Sequence, residues 1–132
     1  MKVIQIMREL ELAGCIHDNR QEIIKSIPNL DVEIELVPEP DNYFDQNAIN
    51  VLFDKKSIGY IPAFSARTLT NDYLARGCSL SARLKRINQY SNGTLVPVVS
   101  IFAPEELLRK LAEEENKKIQ VEEEEDGCWD EL

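Results

Sequence analysis

Residues 38–50 read PEPDNYFDQNAIN, a run with two prolines, two aspartates and three asparagines, and with Tyr43 and Phe44 adjacent at its centre. Proline, aspartate and asparagine are turn residues, each for its own backbone reason. Two large rings among them are out of place unless they do something. Such rings can stack on a ligand, or they can cover the end of a core. Asp45 also has two readings. Its carboxylate can accept a hydrogen bond from a ligand, or it can fold back as an Asx turn onto Asn47 and set up the strand that follows. Asn42 and Asn47 carry the same pair of options, ligand contact or loop geometry.

Catalytic signals are sparse. His17 is the one histidine; with Cys15 it makes a C-x-H pair, too few donors for a zinc site. Nothing in the spacing of Cys15, Cys78 and Cys128 places a thiol beside His17 for nucleophilic catalysis. The five glycines form no phosphate cradle, and the carboxylates lack the arrangement typical of a nuclease metal site. The residues therefore read as a protein that is not an enzyme and needs no cofactor or metal. The cysteines are widely spaced and odd in number, which argues for reduced thiols rather than a disulfide framework.

Cations are present in two places that could meet an anion. Arg83, Lys85 and Arg86 lie on one expected strand, with Arg83 and Lys85 on the face opposite Leu84. They could track phosphates or simply solvate that face. Arg67 and Arg76 lie on an expected helix and could line a groove edge, whereas Lys55 and Lys56 sit in a hairpin turn and serve solubility.

The net charge of -9 is unevenly spread. Residues 1–103 hold twelve acidic and eleven basic side chains, and residues 104–132 hold twelve acidic and four basic. The body is thus nearly neutral, and the acidity belongs to the end. A neutral body removes the usual charge argument for a nucleic-acid partner without excluding one. No apolar run approaches the roughly 20 residues of a membrane helix. The opening MKVIQIMREL lacks the longer apolar core and cleavage site of a secretory signal. A cytoplasmic protein is expected.

The elements that must position these residues follow from periodicity. Residues 2–16 alternate loosely and predict one or two strands. Asn19, with Glu22 three residues on, predicts a capping box and a short helix ended by Pro28. VEIELV alternates with period two, placing Val32, Ile34 and Leu36 on one face. NAINVLF alternates again through Ile49, Val51 and Phe53, turns at Asp54 to Ser57 and returns through Ile58 to Ile61. Pro62 opens a helix whose apolar face is Ala66, Leu69 and Tyr73, with Gly77 as a left-handed cap. Leu80, Ala82 and Leu84 resume strand spacing, Asn92-Gly93 marks a hairpin turn, and TLVPVVSIF is the partner strand. Its Pro97 cannot donate to a ladder, which predicts an edge strand or a bulge. PEELLRKLAEEENKK is a last helix with a stripe of Leu107, Leu108 and Leu111 that could dock on the body or on a partner. The expected organisation is a barrel over 1–103, a helix over 104–118 and an acidic disordered tail over 119–132. The fold class is mainly β with α added: a small, partly open barrel of about six strands with two helices, plus the C-terminal helix.

LVPEPDNYFDQNAINV followed at a fixed distance by IGYIP resembles the signature of the HIRAN domain family. The likeness runs over about residues 8–103. It implies a modified OB-like barrel with two helices. It also implies an activity, because HIRAN domains are modules of DNA-remodelling helicases and small stand-alone bacterial proteins, and in the helicase setting bind the 3′ end of single-stranded DNA. By motif position, the resemblance assigns Phe44 to stacking on the terminal base, Asp45 to accepting the terminal hydroxyl, and Asn42 to shaping the loop and touching the terminal nucleotide. Tyr60 takes a position beside the pocket. The chain departs from the pattern at Tyr43, where proline is frequent, at Phe44, where the DNA-binding member has tyrosine, and at Leu10 and Glu11, where that member has an arginine–tyrosine pair.

The expected function is accordingly a non-catalytic module for single-stranded DNA 3′ ends in repair or replication-fork processing, working with a helicase, nuclease or other repair protein. The alternative is an adaptor that keeps the fold and binds a protein. The acidic tail with Trp129 reads as a solubilising or partner-docking segment, or more sharply as a mimic of a nucleic-acid strand.

Overall fold

The computed structural model describes residues 2–116. The expected tail over 119–132, with Cys128 and Trp129, and the last two residues of the expected helix over 104–118 lie outside the described residues. Six strands form one antiparallel sheet: β1 (Val3–Glu11), β2 (Glu33–Pro38), β3 (Ile49–Phe53), β4 (Lys56–Tyr60), β5 (Ser81–Gln89) and β6 (Leu95–Pro104). Helix α1 (Arg20–Lys25) lies between β1 and β2, and α2 (Ala63–Asp72) between β4 and β5. Residues 105–116 form a third helix, α3. The strand order is β1-β6-β5-β2-β3-β4.

The two outermost strands nearly meet. Just past β1, Ala13 forms a two-way bridge with Tyr60: Ala13 N donates to Tyr60 O (2.7 Å) and Tyr60 N to Ala13 O (2.9 Å). One bridge rather than a ladder joins the seam, so the barrel is small and partly open. Gly59 makes this approach feasible. A Cβ there would stand 2.9 Å from Ala13 O and 3.1 Å from Cys15 Sγ, and its φ of +149° suits glycine alone.

The alternation read from the sequence becomes the core. Ile34, Ile49, Val51, Ile58, Leu84, Val99 and Ile101 point inward and are buried. Ala66 and Leu69 bring one face of α2 onto them. The turn at Asp54-Lys55 has φ of +49° and +65°, the paired positive values of a type I′ hairpin. Leu111, with Leu107 and Leu108, packs on Cys78, Ala103, Tyr73 and Leu80, so the apolar stripe of α3 docks on the body. Arg76 fastens it with bonds to Glu114, Glu115 and the Leu111 carbonyl. No helix among the described residues is long and apolar enough to cross a membrane.

Three local expectations are corrected. Asn19 precedes α1 but makes no side-chain cap. Its φ of -99° and ψ of 22° keep it out of the extended conformation from which a cap side chain reaches the first amides. The middle helix stops at Asp72 and gives way to a single 3₁₀ turn, Leu74–Arg76, which Gly77 closes at φ +83°. Finally, β6 is interior, between β1 and β5. Pro97 is tolerated there because its carbonyl faces β1, accepting from Leu12 N at 3.0 Å. Its nitrogen faces the same side, where β1 is leaving the sheet, so no ladder bond to β5 is lost. A register shift in β5 between Leu84 and Arg86 lies close by.

Candidate nucleic-acid interface

The loop between β2 and β3 is organised by its own polar side chains. Asn42 Oδ1 accepts from the amides of Phe44 (2.9 Å) and Asp45 (3.1 Å). Asp45 Oδ1 accepts from the amide of Asn47 (2.8 Å). The base of the loop is closed by Glu39 N to Ala48 O at 2.8 Å. With these amides satisfied locally, the loop keeps its shape without packing from its aromatic residues. Tyr43 is 94% exposed and Phe44 93%, so neither ring covers the barrel end. They meet edge to face, with centroids 5.4 Å apart and an interplanar angle of 87°. That geometry braces the pair and leaves ring surface turned to solvent.

Glu39, which the sequence reading passed over, holds the loop to the barrel. Its Oε1 accepts from Asn42 Nδ2 (3.0 Å) and Tyr60 Oη (2.9 Å), and its Oε2 from Asn50 Nδ2 (3.3 Å). A carboxylate between two prolines, Pro38 and Pro40, is the signal that could have revealed it. Tyr60 is therefore a support for the loop. Its hydroxyl points at Glu39, and the Arg20 guanidinium lies 5.3 Å from its ring centroid. Burial, and then the Glu39 carboxylate, push the Tyr60 phenol above its ordinary value, which keeps the donor protonated.

Asp45 opens onto a cleft of about 280 Å³ shared with Asn47, Ala63, Phe64 and Arg67. Oδ1 of Asp45 is engaged by the Asn47 amide, and Oδ2 makes no hydrogen bond within the described residues. Thr70 Oγ1 donates to Asn47 O at 3.4 Å and pins α2 to the loop. Phe64, a second omission of the sequence reading, is 74% exposed. Its signal was its place on α2, off the Ala66–Leu69–Tyr73 face.

The basic residues of β5 are placed differently from a shared phosphate track. Arg83 binds Asp31, by Nε to Oδ1 at 2.8 Å and by Nη2 to the carbonyl oxygen. Lys85 (3.1 Å) and Arg86 (2.9 and 3.1 Å) both bind Glu9 of β1. Arg86, then Lys85, hold the Glu9 carboxyl down at about 2. Arg83 lowers Asp31 in the same direction. The expected cluster is thus divided between two carboxylates and largely neutralised. Glu11 accepts from Asn88 Nδ2 (3.1 Å) and from the Tyr90 hydroxyl.

The two described cysteines are buried free thiols. Burial pushes Cys15 up to about 11 and raises Cys78 as well. No group of three or more potential metal ligands is assembled among the described residues.

Together these features define a small OB-like β module whose loop presents rings and a half-engaged carboxylate beside a helix. The HIRAN domain family model matches residues 11–100, well over half of the chain, and the chain belongs to the HIRAN domain family. Among solved structures, the crystal structure of the HIRAN domain of human HLTF is similar at 14% identity, covering 87% of this chain and 91% of that one, with a TM-score of 0.59. A Lactobacillus plantarum protein is similar at 16% identity, covering 78% of this chain and 98% of that one, with a TM-score of 0.62. Both likenesses concern the fold. No curated protein matches the sequence.

Proposed function

We propose that this protein is a non-catalytic module that recognises the 3′ end of single-stranded DNA, and that it serves DNA repair or replication-fork processing in the cytoplasm beside a helicase, nuclease or other repair protein. The observation that carries this reading is the divided carboxylate of Asp45. One oxygen is spent on the Asn47 amide, which fixes the side chain; the residue itself lines the cleft with Phe64 and Arg67, next in sequence to the exposed Phe44. The Asx-turn role and the ligand role are therefore compatible in one residue. A carboxylate acceptor takes the proton of a terminal hydroxyl and repels a terminal phosphate. Phe44 supplies a face for the last base, worth on the order of 1–3 kcal/mol. Asn42 sets the loop, and Tyr60 supports it through Glu39. Arg83, Lys85 and Arg86 would reach phosphates only by releasing Asp31 and Glu9.

Fluorescence anisotropy with the full chain and a short single strand at low salt tests this. A free 3′ hydroxyl should bind at least tenfold more tightly than a 3′ phosphate, and Asp45→Asn should erase the difference while Phe44→Ala weakens both. Equal binding of the two ends would reject end recognition.

A second reading, a protein-interaction adaptor, is favoured by the exposed Tyr43–Phe44 pair on a nearly neutral body. Retention on a DNA column that falls with salt separates the two, because phosphate contacts release counterions and apolar protein contacts do not.

A further inference from the structure

Five of the seven arginines are tied to carboxylates: Arg20 to Asp18, Arg76 to Glu114 and Glu115, Arg83 to Asp31, Arg86 to Glu9 and Arg109 to Glu105. Arg8 and Arg67 have no such partner among the described residues. Of these, Arg67 lines the cleft that Asp45 opens onto. Its guanidinium lies 5.7 Å from the centroid of the Phe64 ring. Helix spacing explains the placement. Ala63, Arg67 and Thr70 fall on one side of α2, facing the loop, while Ala66 and Leu69 fall on the buried side. The Thr70–Asn47 bond holds that side against the loop, so Asp45 and Arg67 line one cleft.

We propose that Phe64 and Arg67 form a second nucleotide subsite, taking the base and phosphate next to the terminal nucleotide. This rests on the 3′-end reading of Asp45 and Phe44. A strand whose last hydroxyl sits at Asp45 must carry its nearest phosphate away from that carboxylate, and Arg67 is the cation that shares the cleft. A guanidinium resting on a ring keeps its N–H edges free in its own plane, where a phosphate can accept two of them. Phe64 remains open elsewhere on its surface to a base. The cleft, at about 280 Å³, is at the lower end of small-molecule sites, fitting one nucleotide unit rather than a longer run.

The subsite predicts two different losses. Arg67→Ala should weaken binding of a 3′-hydroxyl oligothymidylate and flatten the plot of log K against log salt by about 0.7, the increment for one phosphate on a single strand. Arg67→Lys should keep the slope. Phe64→Ala should weaken binding roughly tenfold, as expected for one lost stack, with the slope unchanged, and Phe64→Tyr should restore it. Neither alanine variant should alter the preference for hydroxyl over phosphate, or the thermal midpoint, because both side chains are on the surface. The full chain is measured by anisotropy across a salt series. If both alanine variants match the wild type in affinity and slope while Asp45→Asn still erases end preference, the end pocket stands and the second subsite is rejected. If the wild type itself shows no end preference, the reading of Asp45 falls first and the subsite with it.

Discussion

Tyr60 donates a 2.9 Å hydrogen bond to Glu39, 21 residues earlier in the chain. The bond links the strand that closes the barrel seam to the loop that carries Phe44 and Asp45. Tyr60→Phe keeps the ring beside Arg20 and removes only this donor. The expected result is a stability loss of about 1 kcal/mol and a severalfold loss of 3′-end affinity, with end preference retained. Chemical denaturation and anisotropy check the two parts. Because the phenol is held above its ordinary value, the bond is intact at neutral pH and its contribution is lost as alkaline pH removes the proton.

Glu9 responds at the other end of the scale. Its carboxyl falls from 4.5 to about 2 through Arg86 and Lys85. A depressed folded value means that the stabilisation is complete above 4.5 and drains away as pH falls toward 2. The wild type should melt above Glu9→Gln at pH 7, and the gap should close between pH 4.5 and 2. The same substitution frees Lys85 and Arg86. It should raise DNA affinity at low salt, steepen the salt dependence and leave the preference for the 3′ hydroxyl unchanged.

Gly59→Ala tests the seam. The added methyl would face Ala13 O at 2.9 Å in a backbone conformation that side chains avoid. A loss of roughly 2–4 kcal/mol is expected. The amide of Ala13 should exchange with solvent faster in this variant than in the wild type.

Cys15 and Cys78 should resist alkylation. Burial holds both thiols protonated at neutral pH, and the thiolate is the reacting species. Iodoacetamide at pH 7.5 should label these two positions only after unfolding, as read by peptide mass mapping.

Most of what depended on neighbours in sequence was legible before the fold, the Asn19 cap and the end of α2 excepted. The β3–β4 hairpin follows from alternation and a two-residue turn, and the Asx bond from Asp45 to Asn47 spans two residues. Membership in the family was legible too, because its motif is contiguous. Strand order was not. Pro97 read as the mark of an edge strand or a bulge because a missing N–H says nothing about which side of the strand it faces; the register shift lies on the neighbouring β5. The cations of β5 read as available because Glu9 reaches them across β6, and Asp31 from the turn before β2, through pairings no local pattern announces. Glu39 escaped for a related reason: its donors, Asn42, Asn50 and Tyr60, converge only once three segments are folded.

The first and last strands of the barrel lie side by side, Val3 opposite Pro104, and Glu105 N donates to Lys2 O at 3.0 Å. A polypeptide therefore enters and leaves the barrel at a single point. Grafted into a loop of a larger host, such a unit would hang from the side without prising the loop apart. Under tension applied at those two ends, the β1–β6 ladder would peel one bond at a time rather than shear as a block. Tension carried through the chain beyond Pro104 would first have to lift the docked α3 from the body, and only then open the barrel from this corner.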